Sequence, residues 1–146
     1  MQLKLSTDYA IRIILYLAKT GKVNSKQLAG ALNISQNYVR KMIREPELEN
    51  FILSSSGVYG GLSLKQEAAN ITLLDIITAI EKSTFISYCL EDEVHCDTCL
   101  SFDKQYCPVR ICYEKIQMRL NKVFEETSIQ DLIQEEICYE RKAKCS

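Results

Sequence analysis

Apolar side chains recur along residues 6–20, STDYAIRIILYLAKT, at Tyr9, Ile13 and Leu17, with Ala10 and Ile14 beside them. A spacing of four puts them on one face and predicts an amphipathic helix. Ser6 suits its N-cap, Asp8 suits the positive end of the helix dipole, and Gly21 suits its stop. Two shorter periods follow in SKQLAGALNISQNYVRKMIRE, residues 25–45. Ser25 is a candidate cap for the first, which turns Leu28, Ala29 and Leu32 inward. Asn33 and Ile34 make a turn, and Ser35 caps the second. Its inner face carries Tyr38 or Val39, with Met42 and Ile43, and Pro46 is expected to end it. Two short helices around a tight turn predict a helix-turn-helix.

The pattern then changes to FILSSSGVYGGLSL, residues 51–64, with strand character on both sides of Gly57, Gly60 and Gly61. That predicts a hairpin with a glycine-rich tip, the wing of a winged helix. The glycines do not make a phosphate loop, because no Lys-Ser/Thr and no helix follow them. Thr72 and Asp75 fit a capping box ahead of Leu73, Ile76, Ile77 and Ile80. Pro108 opens a long predicted helix over 108–126, on which Val109, Cys112 or Tyr113, Ile116, Leu120 and Val123 form one stripe. A single stripe on so long a helix predicts a dimer contact. A last short helix over SIQDLIQEEI precedes a tail. The expected organisation is a DNA-binding unit over 1–82, a cysteine-rich sensor loop over 83–107, dimerisation and C-terminal helices over 108–138, and a tail over 139–146.

Composition adds little, and charge adds more. The 146 residues are 47% hydrophobic and 25% charged, enough for one domain with its own core. The first 21 residues do not read as a signal peptide, and no run is long and apolar enough to cross a membrane. A cytoplasmic, reducing setting is therefore expected. Residues 1–66 hold nine Lys/Arg against four Asp/Glu, while residues 67–146 hold nine against fifteen. A basic front half points to a polyanion partner, and with the helix-turn-helix that partner is double-stranded DNA. Ser35, Gln36, Asn37 and Arg40 are the candidates for base contacts, with Tyr38 beside them on the same helix. Lys41 and Arg44 are placed for phosphates, and Tyr59 at the wing tip for the minor groove or backbone. No nucleophile–base pair or nucleotide loop supports a small redox enzyme, the alternative from another class.

Five of the seven cysteines fall within residues 88–112, YCLEDEVHCDTCLSFDKQYCPVRIC. Their spacing leaves three uses open. An iron–sulfur cluster would draw on Cys89, Cys96 or Cys99 or both, and Cys107. Zinc would draw on the Cys96–Cys99 and Cys107–Cys112 pairs. The third use is reactive or unliganded thiols, which with zinc gives the alternative of a thiol-switch or zinc-stabilised regulator. Cys112 falls on the apolar stripe, about 140° round the helix from Cys107, and reads as a small core residue. His95 reads as an exposed loop residue, and Cys138 and Cys145 as tail thiols.

In this order, LSTDYAIRIILYLA, NISQNYVRKMI, SGVYGGLSL with ITLLDIITAIE, and the cysteine loop ending in CPVRICYEKI resemble the IscR/NsrR class of bacterial winged-helix repressors, the Rrf-two family. The resemblance covers nearly the whole chain. It implies a mainly α fold, a winged helix-turn-helix with a small β-hairpin wing and a long C-terminal dimerisation helix. It also implies a homodimeric regulator that is not an enzyme. Many such proteins carry an iron–sulfur cluster, 4Fe-4S or 2Fe-2S, in the cysteine loop and sense redox state, nitric oxide or cluster supply. In one branch an aspartate early in the first helix ligates the partner subunit's cluster, and Asp8 stands at that place. The chain departs from the pattern in its extra thiols, in Arg110 where a histidine ligand is common, in Ser56 where the wing commonly carries an arginine, and in Leu62 where an aromatic residue is common.

Overall fold

A computed structural model describes residues 2–91 and 107–145. Helix α1 (Leu5–Thr20) lies at the centre, with Ala10, Ile13, Ile14 and Leu17 all buried. It starts one residue before Ser6, and its N-cap, Lys4, has no side-chain cap. An acceptor for this end comes instead from 77 positions along the chain. Glu81 takes the Lys4 backbone N–H at 2.8 Å and the Thr7 hydroxyl at 2.6 Å. A distant carboxylate thus holds the N-cap residue and the first turn, at the end where the helix dipole favours a negative charge. Gly21 stops the helix as expected, at φ 75°.

Helices α2 (Ser25–Leu32) and α3 (Gln36–Met42) form the helix-turn-helix. The cap of α2 is Asn24 rather than Ser25, because Asn24 and Gln27 satisfy each other's backbone N–H groups in a full capping box. Asn33 turns the chain in the left-handed region at φ 53°, and Ser35 caps α3 through the Tyr38 N–H at 3.2 Å. Pro46 does not simply end α3. The helix stops at Met42, and Pro46 opens a further turn, α4 (Pro46–Glu49), in the first helical turn, where its missing N–H forfeits no intrahelical bond.

Strands β1 (Ile52–Ser55) and β2 (Gly61–Leu64) pair antiparallel, with Ile52 opposite Leu64 and Ser55 opposite Gly61. Val23 adds a bridge to Leu62 with bonds of 3.0 and 2.7 Å, which ties the wing to the helical unit. After a 3-10 turn at Ala68–Asn70 comes α5 (Leu73–Ile80), capped by the predicted Thr72–Asp75 box. A single helical turn, α6 (Tyr88–Glu91), precedes α7 (Pro108–Glu126), whose limits match the sequence pattern. The final helix, α8 (Ile129–Cys145), runs through the expected tail, since YERKAK is made largely of good helix formers.

One core joins these elements. Leu28, Val39, Leu48, Ile71, Ile76 and Ile129 are all buried around α1. Each such side chain contributes roughly 1.5–3 kcal/mol by leaving water. The result is the expected mainly helical winged fold, with a two-stranded wing and long C-terminal helices. Among the described residues, no helix is long and apolar enough to cross a membrane.

Candidate functional site

The second helix of the helix-turn-helix, α3, buries Val39 and Met42 and leaves Asn37, Arg40, Lys41 and Arg44 exposed along its length and just beyond it. The anchoring pattern fixes which face is offered: helical period puts 39 and 42–43 inward, so 37, 40, 41 and 44 project outward. Not every predicted contact residue is free. The Gln36 amide donates to the Ser25 hydroxyl at 2.9 Å, so that side chain clamps α3 onto the start of α2. Ser35 spends its hydroxyl oxygen on the cap. Tyr38 is half-buried, and its ring stands edge-on to Tyr9 with centroids 5.3 Å apart.

A groove of about 560 Å³ separates this helix from the wing. Arg40, Arg44 and Lys65 line it together with Ser25 and the glycines of the hairpin. Three cations around one groove favour a polyanion. The wing's shape depends on two glycines. A Cβ on Gly60 would lie 2.5 Å from the Ser55 carbonyl oxygen, and one on Gly61 would lie 2.9 Å from that of Val23. Gly57, at φ 105°, and the 2.9 Å bond from Gly60 N–H to its carbonyl close the tip. Val58 and Tyr59 are thereby held out in solvent, Tyr59 at 90% exposure.

The cysteine segment is visible at its two ends. Cys107 is buried and stands as N-cap of α7. Cys89 lies on α6, its thiol 3.3 Å from the Ser87 hydroxyl. One turn into α7, Arg110 donates to the Cys89 carbonyl at 3.0 Å and pairs with Glu114. The two ends of the segment therefore meet at the start of α7. Cys96, Cys99 and His95 lie outside the described residues. Cys112 is exposed on the single chain rather than a core residue. Cys138 is exposed on α8.

Asp8 is half-exposed and pairs with Arg12 one turn on, at 2.9 Å. The α7 stripe is also accessible: Val109, Ile116 and Val123 are 46–57% exposed, while Tyr113 and Leu120 are half-buried. Two positions that bear on the site's geometry escaped the sequence reading. Lys65 lines the groove although it follows the wing in the chain, and Gln117 is the buried residue of α7. Gln117 could have been suspected as a polar residue next to the apolar stripe. Nothing local marks Lys65.

Glu81, whose side chain is only 8% exposed, sits where α5 hands over to the cysteine segment. Burial pushes its pKa up, but the Thr7 hydroxyl, the Lys4 N–H and the Lys4 ammonium group outweigh that, and the net direction is down.

Comparison with known proteins agrees with this architecture. The family model described as Rrf2, iron-dependent transcriptional regulator, matches residues 3–135. The HTH-type transcriptional regulator NsrR of Oceanobacillus iheyensis is 27% identical over 140 residues, covering 93% of this chain and 92% of the relative. CymR, the global cysteine regulator of B. subtilis, superposes with a TM-score of 0.72 at 25% identity, over 92% of this chain and 98% of that one. IscR of T. potens shares the fold, with a TM-score of 0.69 at 21% identity over 93% and 88% of the two chains. A helix-turn-helix with an exposed basic face, a wing and a family match over 133 of its residues lead to one conclusion: the chain belongs to the Rrf2 family and is a DNA-binding transcriptional regulator, not an enzyme.

Proposed function

We propose that the protein is a cytoplasmic homodimeric repressor that reads its operator with α3 and the wing, and senses redox state, nitric oxide or iron–sulfur status through a cysteine-ligated iron–sulfur cluster. The supporting observation is the junction at α7. Cys107 caps the helix that bears the accessible apolar stripe, and Arg110 of the same helix grips the backbone of Cys89. Whatever alters the thiolates at this junction acts directly on the helix proposed to join the two subunits.

The donor chemistry fits the group. Thiolate is a soft ligand suited to iron–sulfur clusters. Cys89 and Cys107 would hold it from the two ends, with Cys96 or Cys99 between them in sequence. Asp8 of a second subunit would complete the set by exchanging its Arg12 partner. The cluster, when bound, would supply a centre reactive toward oxidants and nitric oxide. The protein's own part is mechanical. A shift of Cys89 pulls on Arg110, a shift of Cys107 pulls on the cap of α7, and α7 sets the distance between two recognition helices. That distance must match two half-sites about one helical turn apart on DNA, roughly 34–36 Å.

Anaerobic purification tests this reading. Visible absorbance with iron and acid-labile sulfide in the protein is expected, together with DNA binding that falls steeply with salt. Protein without iron and sulfide overturns the cluster. A second reading, a thiol switch, is favoured by the likeness to the cysteine regulator CymR. It predicts DNA affinity that changes on thiol oxidation with no sulfide present. Equimolar zinc without sulfide would indicate the zinc-stabilised form instead.

A further inference from the structure

Gln117 is the one buried residue of α7 among those described, and it is polar. Its amide is spent on backbone. The carbonyl oxygen accepts the Ile86 N–H at 2.8 Å, and the NH2 group donates to the Thr84 carbonyl at 3.3 Å. The same NH2 group donates to the side-chain Oδ1 of Asn121 at 2.7 Å, one turn further along, which fixes which way the amide points. The stretch from Ser83 to Ser87 lies in no strand, and the backbone of its partly buried Thr84 and Ile86 needs partners. A glutamine supplies a donor and an acceptor together, as a neighbouring strand would. An apolar residue of the same size would leave both backbone groups unpaired.

The position matters as much as the bonding. Gln117 and Arg110 are seven residues apart on one helix, so they lie on the same face about 10.5 Å apart along the axis. Gln117 holds the chain at Thr84 and Ile86, and Arg110 holds it at the Cys89 carbonyl. The approach to the first cysteine is therefore laid along α7 and fastened at two points.

We infer that Gln117 is a positioning residue for the cysteine segment: it fixes the course of residues 84–86 and, through them, the place and accessibility of Cys89 at the start of α7. Its bearing on sensing rests on the function proposed above, but the positioning itself does not. The test uses full-length, reduced, metal-free protein and iodoacetamide, with the labelling of each thiol followed by peptide mass spectrometry. Cys138, exposed on α8, is the internal reference. Gln117→Leu should raise the ratio of Cys89 to Cys138 labelling about tenfold, the scale of losing a net hydrogen bond or two. Gln117→Glu, which keeps the acceptor for Ile86, should recover part of that change. An unchanged ratio in a cooperatively melting Gln117→Leu protein overturns the assignment.

Hydrogen exchange in the wild-type chain is the second measurement, independent of whether that variant folds. The Ile86 amide should be protected well beyond its exposed neighbours, and exchange at the rate of a free chain overturns the clamp. Iron and sulfide analysis of the anaerobically purified protein, before its metal is stripped for labelling, separates the two claims: no iron or sulfide there, with a raised labelling ratio in the stripped protein, removes the sensor and leaves the clamp.

Discussion

Thr72 and Ser128 face each other across an antiparallel bridge, and each is the residue that opens a helix. Thr72 pairs with Asp75 at the start of α5, and Ser128 pairs with Asp131 at the start of α8. The bridge is made by their neighbours: Leu73 N–H reaches the Thr127 carbonyl and Ile129 N–H reaches that of Ile71, each at 2.9 Å. Ile71 and Ile129 are fully buried, so two capped helix starts are stapled together over the core. Thr72→Ala should cost about 1 kcal/mol in urea unfolding, the usual price of an N-cap. Ser128→Ala should act in the same direction. The double variant should lose less than the sum, because the two caps share one bridge. Strict additivity would show that the helix starts are independent.

Acid stability should carry the mark of Glu81. Burial raises its pKa, while the Thr7 hydroxyl, the Lys4 backbone and the Lys4 ammonium group lower it by more. The folded-state value therefore lies below that of the unfolded chain. The stabilisation is complete above the unfolded value, about 4.3, and is lost as pH falls through the lower folded value. Urea midpoints should fall with pH across that window, and Glu81→Gln should flatten part of the fall. An identical acid limb in the variant would remove Glu81 from the account.

Gln36 and Lys41 should separate scaffold from contact. The Gln36 amide is committed to Ser25, whereas Lys41 is exposed beside Arg40. Lys41→Ala should weaken binding to all DNA sequences and lower the slope of log affinity against log salt by about one. Asn37→Ala should alter preference among base pairs. Gln36→Ala should lower thermal stability more than it alters preference. A changed base preference in Gln36→Ala, with stability unchanged, would return that residue to the reading surface. Fluorescence anisotropy over a salt series, with a panel of duplexes, measures these effects.

Local signals in the sequence were reliable where the physics is local. The Thr72–Asp75 box, Gly21 as a stop, and Pro108 at the head of a periodic helix all act within a few residues, and the structure has each of them. Partners far apart in the chain were not legible. Glu81 holds the start of α1 through Lys4, 77 positions away, and Ser25 is taken by Gln36 from 11 positions away while Asn24 caps α2. The same limit applies to the candidate site. The exposed residues of α3 follow from its period, but Lys65 in the groove and Gln117 on residues 84–86 depend on tertiary packing. Proline was misread for a simpler reason: Pro46 closes off what precedes it and equally suits the first turn of a new helix.

The α7 stripe yields a prediction with an internal control. Ile116 and Val123 are 46% and 57% exposed on the single chain, seven residues apart on one face. Met118 is more exposed still, at 64%, but stands about 200° round the helix from Ile116. If the stripe is the contact between subunits, Ile116→Glu and Val123→Glu place a charge in an apolar seam, while Met118→Glu places one in water. Sedimentation equilibrium should find the first two dissociated, at a cost of more than about tenfold in dimer affinity, and the third unchanged. Operator affinity should fall with dissociation, because a monomer spans a single half-site. Dimers that survive both stripe variants but not Met118→Glu would move the contact to the other face of the helix.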